Sequence, residues 1–182
     1  EYSEDETGQE ATAVGSDGQE IGNGGPIYGE CFYWVSDSEG NQYMLVEIEQ
    51  EGSSLEVFAF HSDYGTPSAG ATLTVDRKVN VKDNTVVLEY DKLTAGFADP
   101  DPDPEPDPRF DYQFTAYNEF DLLPAGKMNL FVGDTISLPP TATVTIGVTD
   151  DESVLSGDNI QSEFADDTTG QTAAILDLNG QE

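Results

Sequence analysis

Tyr28-Gly29-Glu30-Cys31-Phe32-Tyr33-Trp34-Val35, then Ser36-Asp37-Ser38-Glu39-Gly40-Asn41, then Gln42-Tyr43-Met44-Leu45-Val46-Glu47-Ile48-Glu49-Gln50 is the stretch that decides the fold. Two runs rich in aromatic and β-branched residues flank a polar turn. Gly40 and Asn41 can take positive φ there at little cost, so the whole reads as an antiparallel hairpin. In the second run Met44, Val46 and Ile48 alternate with Glu47 and Glu49. A strand's period of two puts the first set against a core and the carboxylates in water.

The same pattern continues outward. Residues 55–60, 72–81, 85–90, 110–120 and 127–132 read as further strands, and 141–149 is the clearest, with Val144, Ile146 and Val148 on one side and Thr143, Thr145 and Thr149 on the other. No segment has a helical period; residues 158–164 supply one short helical turn at most. Short strands separated by turn residues about every ten positions indicate an all-β fold, an antiparallel β-sandwich of Ig-like or jelly-roll-like kind. Residues 99–108 alternate Asp or Glu with five prolines, an acidic, Pro-rich loop that in polyproline II reaches on the order of 30 Å. The expected organisation is an N-terminal segment over 1–25, ending in the hinge-like Gly22-Asn23-Gly24-Gly25-Pro26, a β-sandwich domain over 26–162, and a C-terminal segment over 163–182.

Residues 163–182 repeat residues 1–20 without a gap. Glu1 matches Glu163, Thr7 matches Thr169, Gly8-Gln9 matches Gly170-Gln171, Ala11 matches Ala173, and Gly18-Gln19-Glu20 matches Gly180-Gln181-Glu182; from Asp5 onward 8 of 16 positions are identical. A period of 162 residues whose opening block recurs reads as one unit of a tandem array. The copies suggest a strand-exchange segment, carried by Thr7, Ala11 and Ala13 in one and by Thr169, Ala173 and Ile175 in the other, that fills an edge groove of the neighbouring unit by β-augmentation.

The 182 residues include 37 Asp and Glu against 6 Lys and Arg, a formal charge of −31. Self-repulsion on that scale calls for salt or bound cations, and a surface this acidic excludes nucleic acid as a partner, since phosphate binding needs basic residues. A salty extracellular medium, a calcium-rich one, or imitation of DNA would tolerate it, and proline-spaced Asp99 to Asp107 is the regular array that imitation would use. Cys31 is the single cysteine, so no internal disulfide is available, and its apolar setting predicts a buried thiol. No apolar stretch is long enough to cross a bilayer, and the chain, which does not open on Met, reads as mature or excised, soluble, and secreted or displayed at a cell surface.

Acidic groups are the chemically loaded feature. Asp150, Asp151, Glu152, Asp158, Asp166 and Asp167 crowd oxygen donors around the junction with the repeated segment, echoed by Glu1, Glu4, Asp5 and Glu6 at the other end. Calcium takes six to eight oxygen ligands and would stiffen such a joint; a solvated acidic surface is the alternative. The Asp37 to Asn41 turn lacks the ligand series of a calcium loop and reads as a hairpin turn. Glu47 and Glu49 share a strand face at a spacing glycosidases use, but a pair without a cleft is usually solvent-facing. His61 followed by Ser62 and Asp63 is no triad, because adjacent residues point apart. Trp34 is the candidate for stacking on a sugar, with core packing as the alternative.

Thr143-Val144-Thr145-Ile146-Gly147-Val148-Thr149-Asp150-Asp151, with Ser156-Gly157-Asp158 after it, resembles the tandem β-sandwich repeats, cadherin-like and Calx-β-like, of large secreted bacterial adhesins. That resemblance implies calcium at the joints between repeats. The expectation is a non-enzymatic, secreted structural or adhesive module whose partners are copies of itself or neighbouring repeats, assembled head to tail. The alternative is a calcium-dependent carbohydrate-binding domain that engages cell-surface glycans.

Overall fold

The computed structural model describes residues 9–81, 86–96, 107–150 and 153–155. These form β1 (Glu10–Gly15), β2 (Glu20–Ile21), β3 (Ile27–Ser36), β4 (Gln42–Gln50), β5 (Glu56–His61), β6 (Thr72–Asn80), β7 (Leu93–Thr94), β8 (Tyr112–Asn118), the one-turn helix α1 (Glu119–Leu122), β9 (Thr135–Ser137) and β10 (Val144–Thr149). The pairings of these strands are antiparallel, in the order β2-β1-β10-β8-β5-β4-β3-β6-β9, with β7 also against β5. The sheet does not close on itself, and the fold is an all-β, sandwich-like one.

Strand β8 makes the corner. Its first part, Tyr112 to Ala116, pairs with β10, while Tyr117 and Asn118 pair with β5. A strand shared in this way folds one part of the sheet over the other. Ala11, Ala13, Phe114, Ala116, Val144, Ile146 and Val148 thereby cover Phe32, Met44, Val46, Ile48, Val57 and Ala59 in one apolar cluster. A second cluster gathers Tyr33, Val35, Leu45, Phe58, Phe60, Leu73 and Val75 with Leu122, Leu123, Leu130, Ile136 and Leu138.

Neighbouring residues of β3, β4 and β5 therefore enter different cores, and residues 44–48 are buried without interruption. The alternation read in β4 is correct in phase, but its second face is core rather than water. Glu47 is 1% exposed.

The turn after β3 is built on Asp37. Its carboxylate accepts from the backbone amides of Glu39 and Asn41, from Asn41 Nδ2 at 2.8 Å and from the Tyr43 hydroxyl at 2.9 Å, and the Asn41 side chain above all lowers its pKa to about 2. Gly40 supplies the positive φ, 87°. Both oxygens serve the hairpin.

Three expected elements differ. The opening segment, expected as a strand for a neighbouring unit, contributes β1 and β2 to its own sheet. Residues 127–132 are not a strand: Asp134 accepts the Phe131 amide at 2.9 Å, and Gly133 donates to the Val75 carbonyl, so these groups make a tight turn, with Phe131 and Val132 exposed. Residues 86–88 are not a strand either, because their partner is the short stretch 153–155, met through a single Glu89 to Val154 bridge. Of the Pro-rich loop, residues 99–106 lie outside the described residues; Asp107 grips the Arg109 guanidinium with both oxygens.

Gly147 faces the Phe110 ring so closely that a methyl group there would overlap it. Gly147→Ala is expected to destabilise by about 1–3 kcal/mol, read as a lower thermal midpoint, and the loss should shrink in a Phe110→Ala background, where the obstructing ring is gone.

Candidate functional site

The first candidate site is the seat of residues 9–21. β1 pairs along its length with β10, from Glu10 opposite Thr149 to Gly15 opposite Val144, and β2 covers its outer edge only at Ala13 and Val14. Ala11 and Ala13 sink into the first core, but two alanines bury little apolar area. The β1–β10 ladder and directed polar side chains do most of the holding. Gln9, 6% exposed, accepts the Ile27 amide at 2.6 Å and donates to the Tyr90 hydroxyl at 2.7 Å and to Asp150 Oδ2 at 3.0 Å. Tyr90 also donates to Asp150 Oδ2, at 2.9 Å, and its ring packs against Tyr112 and Phe114. Every donor and acceptor of the Gln9 amide is thus engaged, which is what burial of an amide requires.

Gln50, 2% exposed, works beside it. Its Nε2 donates to the carbonyls of Ala11 and Gly25, and its Oε1 accepts the Asn23 amide. The grip on β1 is thus on main chain, whereas the grip on Gln9 reads a side chain. Beyond β1, Asp17 Oδ1 accepts the Gln19 amide and Gly18 takes φ 78°, which turns the chain into β2.

The second candidate is a buried carboxyl group cluster on the other face of β3–β5. Register places Glu47 opposite Cys31, and Glu49 opposite Tyr28 and Glu56. A bulge between Gly29 and Cys31 inserts Glu30 as an extra residue beside them. Glu47 Oε2 accepts from Cys31 Sγ and from the Tyr33 hydroxyl, each at 2.7 Å, and Lys78 Nζ stands 3.8 Å away. Glu30, Cys31 and Glu47 form one group of mutually close donor atoms, and Glu47, Glu49 and Glu56 another. Acidic residues here lie close enough together to hold a metal ion. Calcium's oxygen preference fits the all-carboxylate group better than the one containing the thiol.

Titration follows from this crowding. Burial, then the Glu47 carboxylate, raises the Glu56 carboxyl to about 9. Burial, then Glu47 and Glu49, raises Glu30 to about 7. Cys31 and Tyr33 are pushed up by burial and by Glu47, and remain neutral donors. Burial also opposes charge on Glu47, but hydrogen bonds from Glu56, Cys31 and Tyr33, together with Lys78, overcome it and hold that carboxyl below its ordinary value. As a carboxylate, Glu56 would leave buried Oε1 without a donor. Protonated, it donates to Glu47 and the conflict between two acceptors disappears.

Of the residues expected to bind metal, Asp150 is described, and it belongs to the Gln9 seat; Asp151, Glu152, Asp158, Asp166 and Asp167 lie outside the described residues, as do Thr7, Thr169, Ala173 and Ile175 of the exchange segment. Ala11 and Ala13 are in place. Trp34 is partly buried, with its ring edge-on to Phe32 and Tyr64. His61 is buried and meets the Val87 carbonyl through Nε2 at 3.3 Å. A cleft of about 400 Å³ beside β7 and β8 is lined by Asp91, Asp107 and Asp111 among others and contains neither Glu47 nor Glu49.

The raised groups set a pH dependence. A carboxyl whose folded pKa exceeds its unfolded one stabilises the fold below the unfolded value and loses that contribution as pH rises through the folded value. For Glu56 the window runs from 4.5 to about 9 and for Glu30 from 4.5 to about 7. The lowered Glu47 acts oppositely, giving stability above its unfolded pKa that is lost in acid. Denaturant titrations at pH 5 and pH 9 should therefore show wild type losing on the order of 2 kcal/mol more than Glu56→Gln, whose amide donates to Glu47 at either pH. Equal losses would rule out the shared proton.

No known protein family, no curated protein and no solved structure matches this chain.

Proposed function

We propose that this chain is a non-enzymatic, secreted, acidic β-sandwich module that assembles head to tail, as a tandem array or fibre, through its repeated end segment. The observation that carries the proposal is that residues 9–21, which belong largely to one copy of the repeat, are a fitted part of the sheet rather than a tail. Gln9 is held at three points and Ala11 is buried, and the second copy presents Gln171 and Ala173 at the matching positions. A segment that completes a sheet, present twice in one chain, gives each unit one strand in hand and one to offer. A heterologous contact of this kind extends into an open chain unless its rotation closes a ring.

Calcium is the cation we assign to the joint. Asp150 stands between β10 and an acidic run that adds Asp151, Glu152, Asp158, Asp166 and Asp167, and hard oxygen donors are what calcium takes. Its charge would also offset the repulsion expected when chains of −31 meet. A cell surface or extracellular medium is where both the calcium and the adhesive role belong.

Sedimentation velocity tests the proposal. The full chain is expected to form species larger than monomer in calcium, to form fewer in EDTA, and to remain monomeric when residues 163–182 are deleted. A full chain that stays monomeric at every concentration and calcium level would overturn it.

A further inference from the structure

We infer that residues 171–182 of one copy enter a second copy in the place of residues 9–20, position for position, and that the resident segment is a plug that must leave first. The inference rests on the head-to-tail reading and specifies its partner and its register. The seat selects by side chain at few points, and the second copy satisfies them. Gln171 brings to Ile27, Tyr90 and Asp150 the same amide that Gln9 uses, and Ala173 has the same small side chain as Ala11. Gln50 holds the carbonyl of Ala11, a group that any residue supplies.

The turn is matched too. Gly180 repeats Gly18, whose φ of 78° favours glycine. Asn179 replaces Asp17 and retains the Oδ1 that accepts the amide two residues on. Gly15 becomes Asp177; a Cβ at Gly15 has the Asp17 side chain as its nearest neighbour, 3.1 Å away, in a backbone of ordinary φ. At positions 12–14 the incoming copy is more apolar. Ala13 becomes Ile175, Thr12 becomes Ala174 and Val14 becomes Leu176. Ala13 stands opposite Ile21, which packs on the same core. Once the resident segment leaves with Ile21, Ile175 restores that bulk from the strand itself.

Competition follows from connectivity. The resident segment is tethered, so its effective concentration is of millimolar order, and an incoming strand must offset that advantage. The added apolar groups of residues 174–176 do so, and weakening the plug promotes assembly.

Disulfide trapping in the full-length protein tests the register. Glu10 and Thr149 are exposed register partners, and Thr172 is the counterpart of Glu10, while native Cys31 is buried. On mild oxidation, Thr149→Cys with Thr172→Cys should give disulfide-linked oligomers on a non-reducing gel. Thr149→Cys with Ala174→Cys, two positions out of register, should give few, and Thr149→Cys with Glu10→Cys should lock the plug and abolish assembly. Gln171→Ala should lower assembly about tenfold, whereas Gln9→Ala should raise it; a general loss of fold would lower both. Linkage confined within single chains, or equal trapping at 172 and 174 in a protein that still assembles, would overturn the inference while leaving head-to-tail assembly standing. Absence of any assembly would overturn both.

Discussion

Strands β3, β4 and β5 are covered on both faces, and the rest of the structure answers to that constraint. A sheet with one wet face can leave every second residue polar; a central strand of a two-sided core cannot. Met44, Val46 and Ile48 meet the layer formed by β1, β10 and β8, while Leu45 meets the segment that runs from β8 through α1 to β9. Glu47 lies in the same strand and has no water-facing side to use. Its charge is tolerated because Cys31, Tyr33 and a protonated Glu56 donate to it and Lys78 stands near. Removing a donor leaves a buried acceptor unpaired, which costs more than the hydrogen bond contributed.

The N-terminal segment is held by another logic. Its apolar contribution is small, so its place depends on the β1–β10 ladder and on directed polar contacts from Gln50, Tyr90 and Asp150. Directed contacts are strong when complete and expensive when partial. Such a segment is either fully seated or released, the character that the proposed exchange requires. The short β2 leaves most of the outer edge of β1 without a described strand partner, so the region lies at the margin of the sheet rather than at its centre.

Local patterning made the strands legible, and tertiary context accounts for what it missed. The β3–β4 hairpin was readable because its turn chemistry sits in contiguous residues, Asp37 to Asn41, and β10 because Val144, Ile146 and Val148 alternate cleanly. The second covered face of β4 was not readable. Alternation of Ile with Glu has one appearance whether the Glu side meets water or a ring of donors, and the donors come from β3, β5 and β6, far apart in sequence. Residues 127–132 have strand composition, but Asp134 takes the amide a ladder would need. In the candidate site the repeat drew attention to a segment whose described part, residues 9–20, sits in the sheet. It did not mark Gln9 as the buried, fully hydrogen-bonded residue of that segment, although Gln9 and Gln171 are identical, because an isolated Gln carries no sign of burial. Glu56, Tyr90 and Gln50 gave no signal at all; only folding brings them to their partners.

The β1–β10 pairing also has a mechanical consequence. Hydrogen bonds between antiparallel strands run across the strand axis, and the register extends from Glu10 opposite Thr149 to Gly15 opposite Val144. Tension applied along β1 therefore strains the whole ladder at once and must slide it, whereas a pull perpendicular to the strand would peel the bonds away in succession. The seat resists lengthwise load collectively and yields to sideways load singly.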